Sequence, residues 1–329
     1  MKLSISGYYG YNNAGDDAIL AAIKQGFKEH EIFVLDASNR FNFQYIAKSD
    51  VLISGGGGLL QDRTSTRSLL YYLGIIWTAK RIFGKKVVIL AQSIGPVKKS
   101  SNLSLLKKAL RLVDVITVRD QSSFKFVESL NLTGTKLIKT ADPIFALPRI
   151  EKKSQENQSS PAIAVCPRRF GHMPENFEEN IAAICDTLVK DYNARVFFIP
   201  FHQKDDIHSC VNIMHNMEQK SELACDHGDF NDIIAMISKM DLVIGTRLHS
   251  LMFAVNHIVP AIGISYDPKV SAFMEEVSLP VFDPCNLSDI PKTVGDIFQN
   301  KEGVKRSIEL IREEFHDRAL LNFAKGVVT

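Results

Sequence analysis

The densest set of chemically useful residues is Asp241-Leu242-Val243-Ile244-Gly245-Thr246-Arg247-Leu248-His249-Ser250. A β-branched run ends at Gly245 and a helical pattern begins at about Arg247, which places Arg247, Leu248 and His249 in the first turn of a helix. The N–H groups of such a turn lack intrahelical partners, and the helix dipole favours an anion there. A cationic side chain at that end works against the dipole, an arrangement that fits an opposing ligand anion. His249 is suited to proton transfer near neutral pH. The other eight histidines, His172 and His202 among them, lack such a setting and default to structural or solvated roles. Cys166-Pro167-Arg168-Arg169 adds two adjacent guanidinium groups past another strand end, a pairing that matches phosphate or carboxylate. Which arginine contacts the anion stays open. Ile264-Ser265-Tyr266-Asp267-Pro268-Lys269 leaves a further strand, and parallel neighbours would bring Lys269 to the same edge.

Two glycine-rich loops stand in the first half. Gly7-Tyr8-Tyr9-Gly10-Tyr11-Asn12-Asn13-Ala14-Gly15-Asp16-Asp17 follows a strand but lacks the dinucleotide-binding glycine spacing. The three tyrosines, Tyr8, Tyr9 and Tyr11, offer a sugar-stacking surface with hydroxyls; equally, the tyrosines pack and Asp16 caps a helix. Asp16 or Asp17 as a catalytic base is left unassigned. Ser54-Gly55-Gly56-Gly57-Gly58 is no Walker loop, because no Gly-Lys-Ser/Thr follows. Gly56 and Gly57 serve either ligand contact through backbone N–H groups or tight helix–sheet packing.

The elements that must position these residues alternate along the chain. Strands are expected at Lys2–Ser6, Ile32–Asp36, Asp50–Ser54, Lys86–Gln92, Val115–Val118 and Lys136–Thr140, with helical spacing in segments such as Asp17–His30 and Ser101–Leu112. Glu151 to Ser160 has no apolar residue and reads as a linker. The pattern restarts with strands at Ala162–Cys166, Arg195–Pro200, Leu242–Gly245 and Ile258–Ile264, and helices at Pro174–Tyr192, Asp229–Met240 and Arg247–Asn256. The fold class is therefore α/β: two doubly wound, Rossmann-like domains, 1–150 and 161–329, joined by 151–160. A last helix, Val304 to Ala324, is followed by no strand and is a candidate to pack back across the junction.

The chain has 329 residues, 45% hydrophobic and 23% charged, with 39 Lys and Arg against 37 Asp and Glu. That excludes a disordered or collagen-like chain and argues against a dedicated nucleic-acid binder. Met1-Lys2 leads straight into a strand without a secretion-type apolar core, so a cytoplasmic protein is expected. The five cysteines form no C-x-x-C pair, which argues against structural zinc or a disulfide framework. Leu69 to Ala79, bounded by Arg67, Lys80 and Arg81, is too short for a membrane span. A buried helix is its first reading and an interfacial membrane contact its alternative. No G-x-S-x-G elbow, H-E-x-x-H helix or cysteine–histidine signature is present.

Taken in order, GYYGYNNAGDDAIL, ISGGGGLLQD, AQSIGP, CPRR, GTRLHS and ISYDPK resemble the polysaccharide pyruvyl transferases, over about residues 1 to 325. The branch most resembled is the bacterial cell-surface-anchoring enzymes that pyruvylate a secondary cell-wall polymer, the anchor for surface-layer proteins. The resemblance implies two Rossmann-like domains facing across a cleft, GT-B-like. It implies transfer of the enolpyruvyl unit of phosphoenolpyruvate onto the 4- and 6-hydroxyls of N-acetylmannosamine in a lipid-linked disaccharide, giving a pyruvate ketal and phosphate. Phosphoenolpyruvate is then a co-substrate bound by Arg168, Arg247, Leu248, His249 and Lys269, with no cofactor or metal expected. On this resemblance His249 is expected to be the acid that protonates C3, with Arg247 and Lys269 stabilising the departing phosphate. The acceptor is expected to meet the first domain, at Tyr9, Tyr11, Asn13, Asp16, Gly56 and Gly57. A cytoplasmic enzyme of this kind would work peripherally at the inner face of the membrane. Two rivals share the fold: a GT-B glycosyltransferase using a nucleotide sugar, and a non-catalytic glycan- or anion-binding protein.

Overall fold

The computed structural model describes residues 1–63, 65–150, 160–171, 173–225 and 229–328. The chain divides into two units. One comprises Met1–Tyr11, Asp16–Leu147 and Glu314–Thr329, and the other Asn12–Gly15 and Pro148–Glu313. The expected linker lies outside the described residues except for Ser160, as does His172.

The first unit runs β1 (Lys2–Ser6), α1 (Ala14–Gly26), β2 (Glu31–Leu35), α2 (Phe43–Lys48), β3 (Val51–Gly55), α3 (Thr66–Trp77), β4 (Lys86–Gln92), α4 (Ser100–Leu110), β5 (Val115–Val118), α5 (Gln121–Ser129) and β6 (Lys136–Lys139). Its sheet is parallel, in the order β2-β1-β3-β4-β5-β6. All of β3 and most of β4 are buried, as a sheet covered on both faces requires. Leu52, Val87 and Ile89 of the sheet belong to one apolar core with Leu69, Leu73 and Ile76 of α3 and Leu106 and Leu110 of α4.

The second unit runs β7 (Ala162–Cys166), α6 (Phe177–Tyr192), β8 (Arg195–Phe198), α7 (Gln203–Asn216), β9 (Ser221–Leu223), α8 (Phe230–Ile237), β10 (Leu242–Gly245), α9 (Leu248–Asn256), β11 (Ala261–Ile264), α10 (Pro268–Glu276), β12 (Val281–Phe282), α11 (Ile290–Gln299) and α12 (Lys301–Leu320). This sheet is also parallel, ordered β12-β11-β10-β7-β8-β9. Ile163, Val165, Phe198 and Ile244 pack with Phe177 and Ile181 of α6 and Ile290 and Val294 of α11.

Each sheet reverses its winding beside its first strand. β1 lies between β2 and β3, and β7 lies between β8 and β10. Doubly wound sheets bind ligands at such a reversal, beyond the carboxyl ends of the strands. The loops leaving β1, β3, β7 and β10 therefore stand where such folds hold ligands.

All ten expected strands are present, with shifted ends. The stretch expected from Ile258 begins only at Ala261, because Ile258 takes a left-handed φ of 57° and Pro260 follows. Two strands escaped the pattern, β9 and β12, which are three and two residues long at the sheet edges. Neither is long enough to show alternation. The buried-helix reading of Leu69–Ala79 needs correcting. Leu69, Tyr72, Leu73, Ile75 and Ile76 are buried in α3, but Leu70 and Trp77 face solvent.

The last helix crosses between units: α12 begins in the second, and from Glu314 onward the chain belongs to the first. There Phe315 packs on Phe145, ring centroids 4.8 Å apart. Asn322 is wholly buried and satisfies its whole amide. Its Oδ1 accepts from the Thr117 and Thr140 hydroxyls at 2.6 and 2.9 Å, and its Nδ2 donates to the Ala141 and Ala319 carbonyls, both at 3.0 Å. Asn322→Leu removes the acceptor of the Thr117 hydroxyl and the side-chain donor to the Ala141 and Ala319 carbonyls, and leaves the Thr140 hydroxyl only the Val118 carbonyl. Urea unfolding should show a loss of about 2–4 kcal/mol, against a few tenths for an exposed control such as Lys325→Ala.

Candidate active site

The turn after β10 is built around a carbonyl and a missing side chain. Arg247 is the N-cap of α9, with Leu248 and His249 its first two residues. The buried Ser250 hydroxyl donates to the Arg247 carbonyl at 2.7 Å. A Cβ on Gly245 would stand 2.4 Å from that hydroxyl oxygen, so glycine at the strand end is what lets the turn close. Thr246 N–H donates to the Cys166 carbonyl at 3.1 Å, which ties the exit of β10 to that of β7.

Arg247 is not the open cation its position suggested. Its Nε and Nη2 donate to Oδ2 and Oδ1 of Asp206 at 2.8 and 2.5 Å. Asp206 lies in the first turn of α7, wholly buried, and its Oδ2 also accepts the N–H groups of Phe201 and His202 at 3.2 and 2.9 Å. Four donors thus hold one carboxylate, which offsets the cost of burying it. The Nη1 edge of Arg247 is the part that remains for a ligand. Nothing in the sequence flagged Asp206, which sits 41 residues before its partner.

His249 is half-buried, and the segment Asn12–Gly15, part of the same unit, closes on it. A Cβ on Gly15 would lie 2.0 Å from His249 Nδ1, so the ring packs directly over the Gly15 backbone. The segment is held in place by Ala14 N–H donating to the Phe201 carbonyl at 2.9 Å and by an antiparallel bridge between Asn13 and His202. Asn13 Oδ1 accepts Gly15 N–H at 3.3 Å. His202 caps α7 by accepting Asp205 N–H at Nδ1, the structural role expected of it. Asn13, Gly15, His202, Asp206, Arg247 and His249 therefore form one connected group.

The two arginines after β7 part company. Arg169 is exposed and turns to α6, pairing with Glu178 at 3.4 Å. Arg168 lies over the Phe170 ring, and its Nη1 donates to the Tyr266 hydroxyl at 3.5 Å. Tyr266 stacks on Phe170, centroids 5.0 Å apart, in the loop leaving β11. Lys269 follows in the first turn of α10, where Asp267 caps its N–H at 3.0 Å. Arg168, Arg247 and Lys269 are all delivered from the carboxyl ends of β7, β10 and β11, three adjacent strands.

In the first unit Tyr9 does not project from its loop. It is buried, its hydroxyl donates to the Gly55 carbonyl at 2.7 Å, and burial pushes its phenol well above the usual range. A Cβ on Gly7 would fall 2.2 Å from the Tyr9 ring, so the Gly-Tyr-Tyr sequence is a packing device here. Tyr11 is half-exposed and stacks on the exposed Tyr8, centroids 4.2 Å apart and nearly parallel. The Tyr11 hydroxyl accepts from Arg40 Nη1 at 3.4 Å, and Arg40 lies over the Tyr71 ring. Tyr8 is one of the three tyrosines expected to offer a stacking surface, whereas nothing in the sequence singles out Arg40. Gly56 and Gly57 adopt left-handed φ of 62° and 71°. A Cβ on Gly56 would meet Ile19 at 2.2 Å, which is helix–sheet packing, whereas Gly57 lies beside the carboxylate of the buried Asp16. Asp17 accepts Gly10 N–H at 3.3 Å.

Two variants test this geometry. Asp206→Ala leaves Arg247 buried without its counter-charge and should cost about 3–5 kcal/mol in chemical unfolding. The apolar double variant Asp206→Leu/Arg247→Met should recover part of that loss, since it removes the buried charge but not the need of the Phe201 and His202 N–H groups for an acceptor. Gly15→Ala would ordinarily favour a helix by up to about 1 kcal/mol. Here it should bring no gain in stability and should shift the His249 ring resonances in NMR spectra, because the ring must move; an unchanged His249 signal contradicts the contact.

Comparison with known proteins bears on the family and the fold. The chain is 24% identical over 254 residues to the amylovoran biosynthesis protein AmsJ of Erwinia amylovora, a match covering 70% of this chain and 60% of that protein. Among solved structures, Anabaena Alr3699/HepE in complex with UDP-glucose superposes with a TM-score of 0.62 at 11% identity, covering 99% of this chain and 98% of that one. The UDP-GlcNAc 2-epimerase of Neisseria meningitidis bound to UDP-GlcNAc gives 0.60 at 11% identity, covering 97% of both chains. At such identities the likeness shows the fold alone: two Rossmann-like domains, as the GT-B-like reading expected. Residues 13–268 match the family model for polysaccharide pyruvyl transferase. That match takes in Asn13, Asp206, Arg247 and His249 and covers most of the chain, which belongs to the polysaccharide pyruvyl transferase family.

Proposed function

We propose that this protein transfers the enolpyruvyl unit of phosphoenolpyruvate to two hydroxyls of one sugar, forming a cyclic pyruvate ketal and releasing phosphate. The observation that carries this reading is the group at the winding reversal of the second unit. Arg168, Arg247 and Lys269 leave adjacent strands, and His249 opens a helix beside them. Phosphoenolpyruvate has a phosphate and a carboxylate, to which Arg168, Lys269 and the Nη1 edge that Asp206 leaves on Arg247 are matched. Leu248 and His249 add the N–H groups of a helix N-terminus.

In the proposed mechanism His249 donates a proton to C3, which makes C2 electrophilic, and an acceptor hydroxyl forms the first C2–O bond as it loses its own proton. The C2–phosphate bond then breaks, the leaving phosphate drawn by Lys269 and the Nη1 edge of Arg247. The second hydroxyl closes the ketal and releases a proton. Electrostatic help to the departing phosphate is worth about 3–4 kcal/mol per well-placed donor, by analogy with oxyanion sites. Gly15 lets Asn13 and the His249 ring share one surface, so Asn13 is the acceptor-side group assigned nearest the acid. Tyr11, with Tyr8 stacked on it, is assigned a sugar ring, and Asp16 with Gly57 a sugar hydroxyl. Tyr9 and Gly56 drop out of that role.

The acceptor proposed is the N-acetylmannosamine residue of a lipid-linked cell-wall precursor, modified at its 4- and 6-hydroxyls by an enzyme working at the cytoplasmic face of the membrane. This rests on the likeness of the loop sequences to the cell-surface-anchoring branch.

Phosphate release from phosphoenolpyruvate should depend on a lipid-linked N-acetylmannosamine disaccharide, and mass spectrometry should show that acceptor gaining one pyruvate less one water. His249→Ala should abolish turnover while phosphoenolpyruvate still binds, and lost binding with normal turnover at saturation would refute the acid assignment. Tight UDP binding with no response to phosphoenolpyruvate would favour a nucleotide-sugar glycosyltransferase.

A further inference from the structure

The first unit carries a surface that the chemistry above does not use. Between Arg63 and Val113 the sequence holds eleven of the chain's 39 basic residues and none of its 37 acidic ones. The same stretch contributes α3, a π-turn over Thr78–Ile82, and α4. On α3 and the turn, Arg67, Leu70, Gly74, Trp77 and Arg81 are exposed at three- and four-residue spacing, so they share one helix face. Leu70, Trp77 and Ile82 are 44%, 52% and 60% exposed, and Leu105 of α4 is 42% exposed. Leu70, Trp77, Leu105 and Leu112 line an apolar groove of about 600 Å³, and Arg81, Lys108 and Arg111 stand along it.

Scattered exposed apolar residues need no explanation, but a contiguous patch rimmed by one sign of charge marks a contact surface. The acidic groups at either end of the stretch are already engaged. Asp114 is held by Lys80 at 2.7 Å and by Val87 N–H, and Asp62 accepts from the N–H groups of Lys98 and Lys99 and from Asn102. The rim therefore presents cations without acidic side chains of its own stretch to answer them.

We infer that the α3–α4 face docks on an anionic lipid bilayer. Trp77, Leu70, Ile82 and Leu105 enter the headgroup level, where an indole with an apolar body and a polar N–H is best accommodated. Arg67, Arg81, Lys108 and Arg111 are drawn by the negative surface potential, with the long stems of the lysine and arginines lying along the apolar floor. No helix among the described residues is long and apolar enough to cross a membrane, so the contact is with the surface. The inference rests on this face alone and holds whether or not the chain handles phosphoenolpyruvate.

Trp77 is the chain's only tryptophan and reports on the patch directly. Its emission should shift to the blue, and its quenching by iodide should fall, on vesicles of phosphatidylcholine mixed with phosphatidylglycerol. Vesicles of phosphatidylcholine alone should give little change, and raised salt should reverse the effect. The double variant Arg81→Glu/Lys108→Glu should sediment with anionic vesicles roughly tenfold less, or weaker still. Lys220→Glu, on the second unit, should sediment as the parent does. No shift on anionic vesicles, an equal shift on both lipids, or equal loss with Lys220→Glu would overturn the assignment. So would a Trp77 shift that follows protein concentration without lipid, which would mean that a second copy covers the face. The lipid comparison on the unmodified protein stands even where a variant fails to fold.

Discussion

A buried carboxylate organises the second unit's site. Asp206 receives the guanidinium of Arg247 and the backbone N–H groups of Phe201 and His202, and so joins the exit of β8, the start of α7 and the start of α9. The Phe201 carbonyl then takes Ala14 N–H, and His202 pairs with Asn13. Through that chain of bonds the position of one arginine determines where the Asn12–Gly15 segment lies, and Gly15 in turn leaves room for the His249 ring. An isolated charge could not be buried there; four donors on one carboxylate make it tolerable. The bidentate pairing also fixes the guanidinium plane, so that one edge of Arg247 keeps a defined direction.

The first unit meets the same topological problem with an aromatic residue. Tyr9 folds beneath its own loop and donates to the carbonyl that ends β3, joining the two strands that flank the winding reversal. The glycines of the two units fall into two physical classes. Gly57 needs left-handed backbone, Gly7, Gly15 and Gly245 are places where another side chain occupies the volume of a Cβ, and Gly56 meets both conditions. Both classes give the same letter in a sequence, yet a positive φ shapes the chain itself and a missing Cβ admits a neighbour.

Solved structures similar to this fold include proteins bound to nucleotide sugars, at about one residue in nine identical. Parallel sheets with covered faces are a scaffold common to many chemistries, and the loops beyond the strands decide among them. In this chain those loops hold arginines, a lysine and a histidine at the second reversal, and stacked tyrosines at the first. The division of charge along the sequence is a separate feature: Arg63 to Val113, which contributes α3 and α4, carries basic residues and no acidic ones.

Most of the scaffold was legible in the residues themselves. Alternating apolar runs and helical spacing located ten strands, because a strand buried on both faces must be apolar throughout; the two edge strands had too few residues to show it. The loops that carry chemistry were legible too, since arginines, a histidine and glycines past strand ends are local signals. What no local pattern held was the partner of each. Arg247 reads as an open cation in its own segment, but Asp206, 41 positions earlier, lies against it. Arg168 and Arg169 are adjacent and identical in type, yet one meets Tyr266 and the other Glu178. Tyr9 and Tyr11 stand two residues apart, one buried and one half-exposed. Sequence determined which side chains are available and in which loops; tertiary structure decided which are already spent on protein, because hydrogen-bond partners and volume are supplied by segments far away along the chain.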